Sequence, residues 1–295
     1  MYNDNMAISH RNEPGVQRHS GGASGPLSAA QMSGELMNAT LPYYRPISNE
    51  IEVFNACFQK KLPFLIKGPT GVGKSRFIEH MAARMKAKLI SVACHEETSA
   101  VDLLGRFILK GNDTLWQDGP LTRAVREGAI VYLDEIAEAR PDVIVAIHSL
   151  TDHRRRLFLD RKNEEIAAHP DFMLVASFNP GYQAGWKELK PSTRQRFVGM
   201  SFQHPPVPVE IEILEGETGL EASQRKKLVK LAQKIRNLTE MALTESVSTR
   251  LLVDAGKLIQ AGLPPRQACM AAIVEPLSDD SEIIESLGEL VALIF

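Results

Sequence analysis

The chain has 295 residues, 44% of them hydrophobic, which is enough for a core domain and a smaller second one. Its 34 Lys and Arg against 36 Asp and Glu give a net charge of -2, so no overall basic excess points to nucleic acid. The three cysteines are far apart and form no CxxC pair, reading as reduced thiols in a cytoplasmic protein; no apolar run approaches the roughly 20 residues of a membrane span, and the N-terminus has no secretory apolar region.

Residues 1–40 are rich in Asn, Ser and Gly, contain GGASGPLS and show no sustained periodicity. They read as a flexible tail, with a misassigned start and a docking arm as the alternatives. From Tyr43 the pattern becomes globular. Leu62 to Lys67 (LPFLIK) is a short apolar run ending at Gly-Pro, which predicts a buried strand. A helix is expected from Ser75 to Met85 and a second strand over Lys88 to Ala93. Gly128 to Asp134 (GAIVYLD) and Phe172 to Phe178 (FMLVASF) are nearly all apolar, as strands covered on both faces are. Gly199 to Phe202 suggests a short fifth strand. Helices are expected over Leu121 to Glu127, Val143 to Leu150 and Glu188 to Gln195. This alternation predicts an α/β fold: a parallel sheet flanked by helices.

Two segments interrupt the alternation. Arg106 to Trp116 (RFILKGNDTLW) has a Gly-Asn-Asp turn between apolar runs, and Arg155 to His169 has a charged turn between Leu157–Leu159 and Ile166. Both read as β-hairpins inserted outside the sheet. The basic run His153 to Arg156 beside the second is either a solvated hairpin base or a contact surface for an acidic partner.

After Pro205–Pro206 the strand signal ends. Leu228, Leu231, Ala232, Ile235 and Leu238 recur at helical spacing. Ser248 and Thr249 suit the cap of a helix from Arg250 to Gln260, stopped by Gly262, and Pro264–Pro265 suits another helix start. The expected organisation is a tail over 1–40, an α/β nucleotide-binding domain with two hairpin inserts over 41–207, and an all-α lid domain over 208–295.

Gly68, Pro69, Thr70, Gly71, Val72, Gly73, Lys74 and Ser75 spell GPTGVGKS between a predicted strand and a predicted helix. That context turns backbone N–H groups and a helix N-terminus towards phosphate oxygens. Lys74 would reach the β- and γ-phosphates of ATP, and Ser75 would coordinate Mg2+. Asp134 and Glu135 end the third strand, in IVYLDE. Asp134 is expected to hold Mg2+ through water, and Glu135 to polarise the attacking water. Asn179, ending the fourth strand in ASFNPG, can orient that water or the γ-phosphate without adding charge. Arg194 and Arg196, in STRQRF, are candidates to stabilise transition-state charge, Arg196 first, supplied by a neighbouring subunit. Arg250, at the start of its helix, could reach the phosphates and couple the C-terminal domain to nucleotide state. The eight histidines show no metal-ligand spacing such as HExxH.

The order of these motifs resembles an AAA+ ATPase, with Asn179 as sensor 1 and Arg250 as sensor 2. The first hairpin is similar to the helix-2 insert of the MoxR group and the second to its pre-sensor-1 insert. Within that group, VACHEETSAVDLLGR, WQDGPLTRAVREGAIVYLDE, LKPSTRQRF and STRLLVDAGKLIQAGL resemble the CbbQ/NorQ/NirQ family from about Tyr43 to the C-terminus. The resemblance implies a hexameric ring working with a von Willebrand factor A (VWA) adaptor of the CbbO/NorD kind. In one branch the target is inhibited Rubisco, the reading favoured here; in the other it is nitric oxide reductase, by activation or metal insertion. A small-molecule kinase would leave Asn179, Arg196 and Arg250 unexplained. A binding module without turnover would be expected to lack Glu135 or the finger.

Overall fold

The computed structural model describes residues 41–180, 189–239 and 246–295. The tail expected over 1–40 lies outside them. In chain order the first elements are α1 (Glu50–Lys60), β1 (Phe64–Lys67), α2 (Lys74–Met85), β2 (Leu89–Ala93), α3 (Ala100–Leu104), β3 (Gly105–Lys110), β4 (Asp113–Asp118), α4 (Pro120–Glu127) and β5 (Ile130–Asp134). They are followed by α5 (Pro141–His148), β6 (Arg156–Leu159), β7 (Glu164–Ala167), β8 (Met173–Phe178), α6 (Pro191–Arg194) and β9 (Val198–Ser201). From there the described residues hold only helices: α7 (Val207–Thr218), α8 (Ala222–Thr239), α9 (Thr249–Gln260), α10 (Pro265–Cys269), which runs into a π-helical turn, and α11 (Ser281–Ile294). Among the described residues, none of the helices is long and apolar enough to cross a membrane.

Five strands make one sheet in the order β2-β5-β8-β1-β9, and every pairing is parallel. Alternation along each strand divides the apolar side chains between two faces. Phe64, Ile66, Ile130, Tyr132, Met173 and Val175 join Phe54 of α1 and Phe77, Ile78 and Met81 of α2 on one face. Leu65, Val131, Leu133, Leu174 and Ala176 meet Leu121, Val125 and Ile147 of α4 and α5 on the other. Phe54, Phe64 and Phe77 are fully buried, and each such burial contributes about 1.5–3 kcal/mol. Phe54 stands edge-on to both other rings with centroids 5.6 Å apart. The continuous apolar runs of β5 and β8 are those covered on both sides, whereas β2 lies at the sheet edge and is only partly covered. A third apolar cluster lies among α7 to α11 and includes Leu228, Leu231, Ala232 and Ile235 of α8; Leu238, at the end of that stripe, is 48% exposed.

The helix expected over 188–195 is, among the described residues, the single turn of α6. Lys190, before Pro191, is held extended at ψ 142°, so the helix starts only at the proline. Both hairpins form where the turns predict. In β3–β4 Phe107 pairs with Trp116, the rings T-shaped at 5.1 Å, and Leu109 near the tip is 81% exposed. In β6–β7 Leu157, Leu159 and Ile166 turn inward.

The basic run beside the second hairpin divides. Arg154 pairs with Asp152 at 2.6 Å and Arg156 with Glu165 at 3.2 Å, both at the surface. Arg155 instead donates to the carbonyls of Lys61 and Phe172, each at 2.7 Å, and lies 5.8 Å from the Phe172 ring centroid. It fastens the hairpin to the chain entering β1. Replacing Arg155 with Ala is expected to lower unfolding stability by about 1–3 kcal/mol, whereas Arg154→Ala stays within about 0.5 kcal/mol; denaturant melts of the two variants check the contrast.

Candidate functional site

The C-terminal ends of β1, β5 and β8 lie side by side, where an open parallel sheet places ligands. The loop after β1 leads directly into α2, whose N-cap is Gly73 at φ 95°, a left-handed conformation that suits glycine. No side chain caps the first turn of α2, which leaves its N–H groups facing the loop. Lys74 is 6% exposed. Its ammonium donates to the Gly68 carbonyl at 2.6 Å and the Pro69 carbonyl at 3.2 Å, and stands 3.6 Å from Glu135 Oε1. Burial pushes the Lys74 pKa down, against the raising effect of Glu135 and Asp134.

Asp134 is held in one orientation. Its Oδ1 accepts from the Tyr132 hydroxyl at 2.7 Å and from Ser177 Oγ at 2.5 Å, while its Oδ2 accepts from Ser75 Oγ at 3.2 Å. Burial first, then the Asp134 charge, raises the Tyr132 phenol, so it remains a donor. Ser177 Oγ also accepts from the Glu135 backbone N–H at 3.2 Å. Glu135 adopts φ 52°, ψ 47°, a left-handed backbone that costs a residue with a Cβ about 1–2 kcal/mol. Its Oε2 accepts from the Asn179 backbone N–H at 3.2 Å, and the Asn179 side-chain amide donates to Thr70 Oγ1 at 3.3 Å. Two hard oxygens, Ser75 Oγ and Asp134 Oδ2, therefore share one side of the loop, a donor pair that fits Mg2+.

Thr70 to Ser75, Asp134 and Glu135 line a cleft of about 670 Å³. Arg250 lines it as well, from the N-terminal end of α9. Gly71 has φ 72°, and a Cβ built on it would lie 2.5 Å from Ser248 Oγ, so α9 is seated directly on the loop. The remaining wall mixes the apolar or aromatic Tyr44, Ile47, Pro205, Ile213 and Val253 with charged residues such as Arg45, Glu217, Asp254 and Lys257. The segment carrying Tyr44 is tied down by buried Glu50, which accepts from the Tyr44 hydroxyl at 2.8 Å and from the N–H groups of Ile47 and Ser48 at 2.7 Å.

The structure thus brings Lys74, Ser75, Asp134, Glu135, Asn179 and Arg250 together. It does not bring Arg194 or Arg196 to the cleft; both are exposed on and just after α6. Tyr132, Ser177 and the 44–47 segment went unread in the sequence. The first two had a signal, a hydroxyl inside an apolar buried strand, with Tyr132 two residues from Asp134 and so on the same face. The segment had none.

A cleft of this construction on a parallel sheet defines an AAA+ ATP hydrolase, and the chain matches the AAA domain (dynein-related subfamily) over residues 63–197. The following stretch, 210–294, matches the CbbQ/NirQ/NorQ C-terminal family. The chain is 56% identical to Protein NorQ of Paracoccus denitrificans over 86% of its length and 94% of that protein's. It is 51% identical to Denitrification regulatory protein NirQ of Pseudomonas aeruginosa (87% and 99%) and 51% identical to Protein CbbQ of Hydrogenophilus thermoluteolus (86% and 95%). The chain belongs to the CbbQ/NirQ/NorQ family of nucleotide-binding AAA+ ATPases.

Behind the cleft, His204 has a buried Nδ1 without a hydrogen-bond partner among the described residues. Burial, and then the Arg236 charge, push it down from 6.5 to about 4, with Glu210 opposing. Between those two pH values the unfolded chain binds a proton that the folded chain refuses, so acid removes stability across that window. Comparing denaturant midpoints at pH 7 and pH 5, His204→Asn is expected to lose less stability on acidification than the unaltered protein.

Proposed function

We propose that the cleft is one half of an ATP-hydrolysing site, completed by a neighbouring copy in a hexameric ring. The ring, together with a VWA-domain partner, remodels inhibited Rubisco in the cytoplasm. What carries the shared-site reading is the placement of Arg194 and Arg196: they face solvent, while Lys74, Ser75, Asp134, Glu135 and Arg250 line the cleft. In this reading the loop from Gly68 to Ser75 cradles the phosphates and Lys74 leaves its loop carbonyls for them. Ser75 and, through water, Asp134 hold Mg2+, which supplies positive charge against the phosphate oxygens. Glu135 orients the attacking water, Asn179 helps to place it, and Arg250 meets the phosphates from α9. Arg196 of the neighbouring copy, assisted by Arg194, stabilises the transition state. The apolar part of the opposite wall, at Tyr44, Ile47 and Val253, receives the base. The helical segment 208–295 acts as a lid domain on the nucleotide-binding part, 41–207.

A second reading, action on nitric oxide reductase by activation or metal insertion, is favoured by one observation: identity is 56% to NorQ against 51% to CbbQ. The assay that separates them adds the ring and its VWA partner to inhibited Rubisco or to inactive nitric oxide reductase. ATP-dependent recovery of one target and not the other decides the branch; recovery of neither overturns both.

Glu135→Gln is expected to keep ATP binding and to lose turnover by about a hundredfold or more, measured as phosphate release beside nucleotide titration. Lys74→Ala is expected to lose nucleotide binding. Arg196→Ala is expected to be inactive alone and partly rescued in rings mixed with Lys74→Ala subunits; no recovery at any mixing ratio argues against a finger supplied in trans.

A further inference from the structure

The end of α9 that meets the phosphate loop is fixed from behind by a buried polar cluster whose carboxylate and guanidinium lie off the cleft and which meets the cleft lining at Thr249. Its centre is Glu210 of α7, whose side chain is fully buried. Arg236 of α8 grips it with both guanidinium nitrogens, NH2 to Oε1 at 2.7 Å and NH1 to Oε2 at 2.9 Å. The Thr249 hydroxyl donates to the same Oε1 at 2.7 Å. Arg236 Nε donates to the Val247 carbonyl at 2.8 Å. The residues on either side of Ser248 are therefore both tied, one by carbonyl and one by hydroxyl. Ser248 itself caps α9, accepting from the Leu251 N–H at 3.4 Å, and presses on Gly71. The next residue along, Arg250, faces the cleft.

A buried ion pair adds little net stability, because desolvation offsets most of the attraction. What it does well is fix a position: a carboxylate gripped by two nitrogens and a hydroxyl has one favourable arrangement. Here that arrangement sets the height and rotation of the α9 N-terminus on the loop.

We propose that Glu210 is a positioning residue for ATP hydrolysis: through Arg236 and Thr249 it holds Ser248 against Gly71 and thereby aims Arg250 at the phosphates. The proposal rests on the role given to Arg250 above, and the test separates the two. Thr249→Val keeps the side chain's size and removes the hydroxyl; Thr249→Ser keeps the hydroxyl. In the full-length protein, Thr249→Val is expected to raise the KM for ATP by about threefold to tenfold, with Thr249→Ser restoring it towards the unaltered value. Arg250→Ala is expected to raise KM by itself. The double variant Thr249→Val, Arg250→Ala is expected to be no worse than Arg250→Ala, since the Thr249 effect runs through Arg250.

If Arg250→Ala leaves KM unchanged, the reading of Arg250 fails. If Arg250→Ala acts but Thr249→Val shifts only the melting temperature, the positioning role fails alone. Factors that multiply in the double variant overturn it too. Arg236→Lys, which keeps the charge and gives up the two-pronged grip, provides an independent arm should Thr249→Val not fold: it is expected to raise KM similarly, and an unchanged KM counts against the proposal.

Discussion

A lysine ammonium that is only 6% exposed must be met by oxygens, and Lys74 finds them on two separate parts of the chain. Two are carbonyls of its own loop; the third belongs to Glu135, beyond the end of β5. Those partners can gather only if β1 and β5 end at the same level with β8 between them, as the parallel register arranges. Ser177 and Tyr132 extend the same requirement outward. They fix Asp134, and Ser177 steadies the left-handed backbone of Glu135. The sheet thus holds a row of charges near each other at the edge of a dry core, a position from which phosphate can compete for the lysine.

The phosphate-loop side of the cleft and the side opposite it have different origins. The loop side is built on strand ends and the start of α2, all anchored in the two sheet cores. The other side combines a segment before α1 with residues around β9, α7 and α9. Glu50 fixes the first of these by local hydrogen bonds, and the Arg45–Glu212 and Arg76–Glu217 ion pairs connect it and α2 to α7. Both ion pairs involve an arginine nearly half exposed, so they contribute little stability beside the apolar clusters.

The sheet was legible because burial on two faces leaves an unmistakable trace: IVYL and MLVASF hold no charge. The hairpins were legible from their turns. The loop, Asp134, Glu135 and Asn179 were legible because chain order alone puts them at strand ends. What escaped depends on distance through space. Nothing local says that Arg155, one of three successive arginines, caps carbonyls while its neighbours are solvated. Nothing local says that the Thr249 hydroxyl donates a hydrogen bond to Glu210 across two helices. Tyr132 and Ser177 lay between these cases, visible as hydroxyls where apolar residues were expected, but without a partner until the strands were paired. The helix expected over 188–195 is shortened, among the described residues, to one turn for a local reason, the backbone restriction ahead of Pro191.

The contact between Gly71 and Ser248 changes what the short loop signature encodes. The octapeptide is usually treated as self-contained, a spell of chain whose glycines answer only to phosphate. Position 71 here also answers to a serine far along the chain, because even a methyl group would collide with it. The loop therefore carries information about where the helical segment sits, and substitutions at positions 71 and 248 are not independent of each other.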